Sequence, residues 1–100
     1  MYDVKFDDNI DMNEIPSYAF FECYNLQKIG LPKTIKRVGD HAFCYCDNLE
    51  TVKFPGGIEI IGENSFEGCA KLREVNLRDG IIEIGDYAFS ECRSLKKVRL

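Results

Sequence analysis

The sequence has no long hydrophobic run. Its apolar stretches are only a few residues, too short to span a bilayer, so no membrane insertion is expected. The opening residues, MYDVKFDDNID, lack a basic end and the apolar segment of about 7 to 15 residues found in a secretory leader. No signal peptide is read here, and the leader of an exported parent would lie outside this stretch. There is no excess of basic charge. Thirteen Lys and Arg stand against 17 Asp and Glu, a net charge of −4, which argues for a soluble protein without a nucleic-acid partner. Gly56, Gly57 and Gly62 fit neither G-x-x-x-x-G-K-(S/T) nor G-x-G-x-x-G, and read as turn glycines, so no cofactor is expected. No N-x-(S/T) acceptor occurs. His41 is the single histidine, and the pattern supplies no nucleophile to pair with it beyond Cys44, so no catalytic residue is expected.

What is present is repetition. Phe20, Phe43, Phe66 and Phe89 are spaced 23 apart, as are Cys23, Cys46, Cys69 and Cys92, and Leu26, Leu49, Leu72 and Leu95. Ile29, Val52, Val75 and Val98 follow in the same register, then Leu31, Phe54, Leu77 and Leu100. Each unit thus ends L-x-x-(I/V)-x-(L/F), the form of a leucine-rich-repeat strand. A solenoid buries apolar surface only between neighbouring coils, so about three are needed before any is stable, and four units pass that threshold. The spacing predicts an α/β leucine-rich-repeat solenoid, a right-handed horseshoe-type coil stack. A parallel sheet forms its concave face, with short extended pieces and single helical turns on the other side. Residues 1–11 read as an N-terminal cap, and 12–34, 35–57, 58–80 and 81–100 as four repeats of one domain.

Five cysteines are an odd number, and four share one row. Row members of stacked coils lie about 4.8 Å apart, whereas a disulfide needs Cβ atoms near about 3.8 Å, so the row reads as buried free thiols. Four such positions span about 14 Å, too far for one tetrahedral metal. Cys44 stands outside this row with Phe21, Glu67 and Ser90. That company suggests partial exposure and makes it the candidate reactive thiol.

Along the chain, Tyr2 to Phe6 alternates as a cap strand, with Val4 and Phe6 on one face. Phe6 lies nine residues before Ile15, but Leu31 only seven before Val38, so the first connection is two residues longer. Asp7, Asn9, Asp11 and Asn13 have the alternation of a calcium loop, but Met12 stands where the sharp turn needs glycine and Tyr18 where a bidentate glutamate is required. No metal site is therefore expected. In each unit an extended piece comes first: Ile35 to Val38, Ile58 to Ile61, Ile81 to Ile84. Gly39, Gly62 and Gly85 then break the strand. Ser17, Asp40, Glu63 and Asp86 follow, three of them suited to cap a single helical turn that carries the Phe inward. His41 shares an outward row with Tyr18, Asn64 and Tyr87.

The pattern I-x-x-(I/V)-G-x-x-A-F-x-x-C-x-x-L-x-x-(I/V)-x-L-P resembles the BspA-like leucine-rich repeat over residues 12–100. Pro16 replaces the glycine in the first unit, Ser65 the alanine in the third, and Arg78 the proline after the third strand. The resemblance implies a non-enzymatic adhesion or host-interaction module, at the cell surface or secreted, and it carries no catalytic residue.

Binding in such a stack belongs on the concave strand face, where outward side chains form a rigid surface. The positions flanking the inward Ile/Val row hold six basic and two acidic residues, a net +4 against −8 elsewhere. An acidic protein ligand is expected there, at Lys28, Lys53, Glu74, Asn76, Lys97 and Arg99. The same lysines would also discourage stray strand pairing, and the face lacks aromatic anchors. The alternative is a structural or self-assembling fragment that contacts further repeats, or its own copy as a homodimer, through the C-terminal coil at Lys96, Val98 and Leu100. A thiol enzyme at Cys44 is a third reading.

Overall fold

The computed structural model describes residues 3–7, 9–77 and 80–99. Tyr2 of the expected cap strand, Arg78 and Leu100 lie outside the described residues. The strands are β1 (Asp3–Val4), β2 (Glu14–Ile15), β3 (Lys28–Gly30), β4 (Arg37–Val38), β5 (Thr51–Lys53), β6 (Ile60–Ile61), β7 (Glu74–Asn76), β8 (Glu83–Ile84) and β9 (Lys97–Arg99). All pair in parallel. Coil 1 carries β2 and β3, coil 2 β4 and β5, coil 3 β6 and β7, coil 4 β8 and β9. One face runs β2-β4-β6-β8 and the other β1-β3-β5 and then β7-β9. Repeat spacing and strand register agree: Lys28 faces Thr51 and Arg37 faces Ile60, each 23 residues on. In β1, Asp3 faces Lys28, 25 residues on, which absorbs the two extra residues of the first connection. β5 and β7 are neighbours without a ladder between them.

The core is built of rows. Ile15, Val38 and Ile61 form one wall and Leu26, Leu49 and Leu72 another. Between them the Phe rings stack nearly parallel, at 5.2 Å for Phe20 and Phe43, 5.0 Å for Phe43 and Phe66, and 5.5 Å for Phe66 and Phe89. The cysteine row is free thiol, as its spacing required. In coils 2 to 4 the thiol donates to the Phe carbonyl one coil back, from Cys46 to Phe20 at 3.0 Å, Cys69 to Phe43 at 3.2 Å and Cys92 to Phe66 at 3.1 Å. Cysteine at this position is therefore a small apolar filler that also gives a backbone carbonyl a weak donor.

The turn side differs from expectation: the described residues contain no helix. Overlapping tight turns replace the helical turn, with N–H groups of Ala42, Cys44 and Cys46 donating to the carbonyls of Gly39, His41 and Phe43. Left-handed residues recur four apart, Tyr18 and Glu22, His41 and Tyr45, Asn64 and Gly68, Tyr87 and Glu91. They aim the alternate N–H groups along the stack: His41, Phe43 and Tyr45 donate to Glu63, Ser65 and Glu67 at 2.9, 2.7 and 2.7 Å. Each left-handed non-glycine residue costs about 1 to 2 kcal/mol, which the inter-coil bonds offset. Asp40 does not cap its own turn. Its carboxylate accepts from the Glu63 N–H of the next coil at 2.9 Å.

The glycine row is explained by the same close stacking. A Cβ on Gly62 would lie 2.6 Å from the Asp40 carboxylate and 2.7 Å from the Val38 carbonyl, both in the coil before. Coil 1 has no preceding backbone at this place among the described residues, and there Pro16 is accommodated and exposed.

Candidate functional site

Strand alternation turns Ile29, Val52 and Val75 into the core and their neighbours outward. Lys28, Lys53, Glu74, Asn76, Lys97 and Arg99 are all exposed on this one face. They fall into two rows: Lys28 beside Thr51 and Glu74 beside Lys97, then Gly30 beside Lys53 and Asn76 beside Arg99. A depression of about 450 Å³ lies among Thr51, Glu74, Asn76 and Lys97, at the step where the ladder is interrupted. Arg73 and Glu50 form an ion pair of 3.5 Å across that step. Both are solvent-facing, so the pair adds little stability and a charged ligand could compete for it.

The C-terminal candidates sit on or beside the last strand. Lys96 donates its N–H to the Arg73 carbonyl at 3.0 Å, and Val98 is 46% exposed, while Leu100 lies outside the described residues.

Two expectations about side-chain chemistry are corrected. Cys44 is 1% exposed rather than partly open, because the tight turn tucks it inward. Burial, then the carboxylate of Glu67 3.9 Å from the sulfur, pushes its thiol up to about 11. It is a poor nucleophile at neutral pH. His41 is half-buried rather than fully outward, stacked on Tyr18 at 4.8 Å with its Nδ1 buried and without a partner among the described residues. In the Asp7 to Asn13 segment, the Asp7 carboxylate accepts from the Asn9 N–H at 2.9 Å, an ordinary polar turn. Among the described residues, no three of His, Cys, Asp and Glu gather as metal ligands would.

The feature that sequence reasoning missed is an aromatic cluster on the turn edge. Phe21 meets Tyr18 edge-on at 5.3 Å and Tyr45 at 6.3 Å, and all three are exposed. The signal was present in the rows that hold Tyr18 beside His41, Phe21 beside Cys44 and Tyr45 beside Glu22. Left-handed turns bring these adjacent rows together, and row spacing alone does not reveal such turns.

The family model described as BspA type Leucine rich repeat region (6 copies) matches residues 4–100. A leucine-rich repeat protein from Bacteroides ovatus is 26% identical with a TM-score of 0.77, over 99% of this chain and 33% of its own. A leucine rich cell surface protein from Faecalibacterium prausnitzii shares the fold, at 23% identity and a TM-score of 0.83, over 97% of this chain and 31% of its own. The T. pallidum Leucine Rich Repeat protein is 28% identical with a TM-score of 0.70, over 98% of this chain and 58% of its own. The chain thus spans between about a third and three-fifths of the length of these relatives. No curated protein sequence matches it.

Proposed function

Since the chain belongs to the BspA-type leucine-rich-repeat family, we propose that it is a non-enzymatic protein-binding module of the adhesion kind, working at the cell surface or after secretion, whose strand face takes an acidic protein ligand. The observation that carries this reading is the pair of outward rows on β3, β5, β7 and β9, where Lys28 and Lys97 share one row and Lys53 and Arg99 the other, all exposed on one face. Cations gathered on one strand face give it a positive potential that attracts an acidic segment. Octa-glutamate is a suitable probe. Its affinity is expected to fall as salt rises and to drop several-fold in the Lys53→Glu, Arg99→Glu double variant. Unchanged binding in that variant would remove the strand face from consideration.

A second reading is favoured by the last coil. In coils 1 to 3, turn N–H groups such as Phe43 and Phe66 donate to the next coil, whereas those of Tyr87, Phe89 and Glu91 meet no acceptor among the described residues. That edge is donor-only, and a two-fold copy would oppose N–H to N–H. It suits the carbonyl edge of a further coil, stacked head to tail, from more repeats or from another molecule. Light scattering of the chain and of Val98→Glu across a salt series tests self-stacking. Concentration-dependent growth that the variant abolishes is expected, and a monomer under all conditions would eliminate it.

A further inference from the structure

The turn edge carries what the strand face lacks among the described residues, exposed aromatic side chains, and its charge has the opposite sign. Residues 16–25, 39–48, 62–71 and 85–94 hold seven acidic and two basic side chains, a net −5. We propose that this edge is a second docking surface, and that it takes an arginine-bearing segment of a protein partner on the aromatic cluster of Tyr18, Phe21 and Tyr45.

Tyr45 is the centre of the surface. Its ring lies over coil 3 because residue 68 is glycine: a Cβ there would sit 2.3 Å from the ring. Glu22 precedes it by one coil in the same row, Glu91 lies two coils beyond, and Glu67 is on the coil that the ring covers. Their charge raises the Tyr45 pKa, Glu67 foremost, with Glu91 and Glu22 adding to it. Two of them already have partners. Glu67 accepts from the Asn64 amide at 2.8 Å, and Glu91 pairs with Arg93 at 3.4 Å, a guanidinium of the chain itself on the far side of the groove. That groove, about 560 Å³, runs from Tyr45 past Asp47 and Gly68 to Glu91.

Tyr18 offers a second seat. Its ring is stacked on His41, with 3° between the planes, and Phe21 stands at 72° to it, yet the residue is 54% exposed, so ring surface remains accessible. A planar guanidinium stacks on such a surface while its N–H groups reach carboxylates beside the ring, a combination that a compact ammonium satisfies less well. Arginine is therefore favoured over lysine. A contiguous exposed aromatic patch among mainly acidic side chains, with Lys71 and Arg93 also lining the groove, has the composition of an interaction surface rather than of ordinary solvated protein.

The chain contains no tryptophan, and four of its five tyrosines, Tyr18, Tyr24, Tyr45 and Tyr87, lie in these turn segments, so intrinsic tyrosine fluorescence reports on this edge. The probe is acetylated octa-arginine amide, with octa-lysine for comparison. Saturable quenching is expected, tighter for octa-arginine. The Phe21→Leu, Tyr45→Leu double variant, which removes no charge from exposed positions and should keep its melting behaviour, is expected to bind about five-fold or more weakly, the scale of two exposed cation–π contacts. The Lys53→Glu, Arg99→Glu variant should bind octa-arginine no more weakly than wild type, which separates this surface from the strand face. If the aromatic double variant binds as wild type does, the attraction is diffuse acidic charge and the proposal is overturned. Equal binding of octa-lysine, or loss of binding in the strand-face variant, would overturn it as well.

Discussion

Coils 3 and 4 have the same residues in the inward Ile, Phe, Cys, Leu and Val rows, yet differ in what they bury. Ile61 and Val75 of coil 3 are fully enclosed, whereas their counterparts Ile84 and Val98 in coil 4 are 39% and 46% exposed. Phe66 is enclosed between Phe43 and Phe89, while Phe89 has a described ring on one side only. Local sequence therefore decides the shape of a coil, and its neighbours decide its burial. A coil is held by two interfaces in the middle of a stack and by one at its end, so stability is closer to a sum over adjacent pairs than to a property of each repeat.

The sharpest test of that difference is the aromatic row. Phe66→Ala should cost about 3 to 5 kcal/mol, since it opens a cavity closed from both sides. Phe89→Ala should cost roughly half as much, because its site can collapse toward the open face. Urea melts of both variants give the ratio. Equal losses would mean that the last coil is covered in solution, which would favour the stacking reading.

The cysteine row gives a smaller effect of the same kind. Cys69→Ala should cost about 1 kcal/mol, for a small apolar side chain and one weak donor. Titration sharpens this. Burial raises Cys46 from the ordinary 9.0 to about 12 and Cys92 to about 11, and it raises Cys69 furthest. A thiol whose folded pKa exceeds its unfolded value favours folding fully below pH 9.0 and loses that contribution as pH rises through about 11 to about 12. Stability should therefore fall on the alkaline side of pH 9.0, by less in Cys69→Ala. At neutral pH these thiols should label slowly until the chain unfolds. Rapid labelling of Cys44 at pH 7 would contradict its burial.

Much of the fold was legible in the sequence, and the exceptions share one physical origin. The invariant 23-residue spacing gave the parallel register, and the two extra residues before Ile15 reappear as the 25-residue offset of β1. The Gly39, Gly62 and Gly85 row was read as a strand break, when its larger cause is the backbone one coil away. The helical turn was misjudged for a related reason. A helix start and a series of tight turns both bring N–H groups back to carbonyls three residues earlier, and only the left-handed φ of His41 and Tyr45 distinguishes them. Those angles are sustained by bonds to the next coil, so no local window of sequence contains them. The exposed side chains of the strand face were placed correctly because period-two alternation is a local rule. The aromatic cluster at Tyr18, Phe21 and Tyr45 was missed because its proximity depends on the turn geometry.

The smallest expected effect has the opposite sign. Ser65 occupies the row of Ala42 and Ala88, it is fully buried, and its hydroxyl has no partner among the described residues. The row lies where coils press closest, so a small side chain is required there, but nothing requires an oxygen. A buried hydroxyl without a hydrogen bond costs about 1 to 3 kcal/mol relative to an apolar group of the same shape. Ser65→Ala should therefore raise stability by about 1 kcal/mol, seen as a higher urea midpoint at unchanged slope. The mirror substitution, Ala42→Ser, should lower it by a similar amount. Ala88→Ser, in the coil that is open on one side, should cost less, because the hydroxyl can turn toward water. If Ser65→Ala were destabilising, the hydroxyl would have to hold a partner in solution. If Ala88→Ser cost as much as Ala42→Ser, the last coil would be as enclosed as the middle ones, and the contrast between coils 3 and 4 would fail.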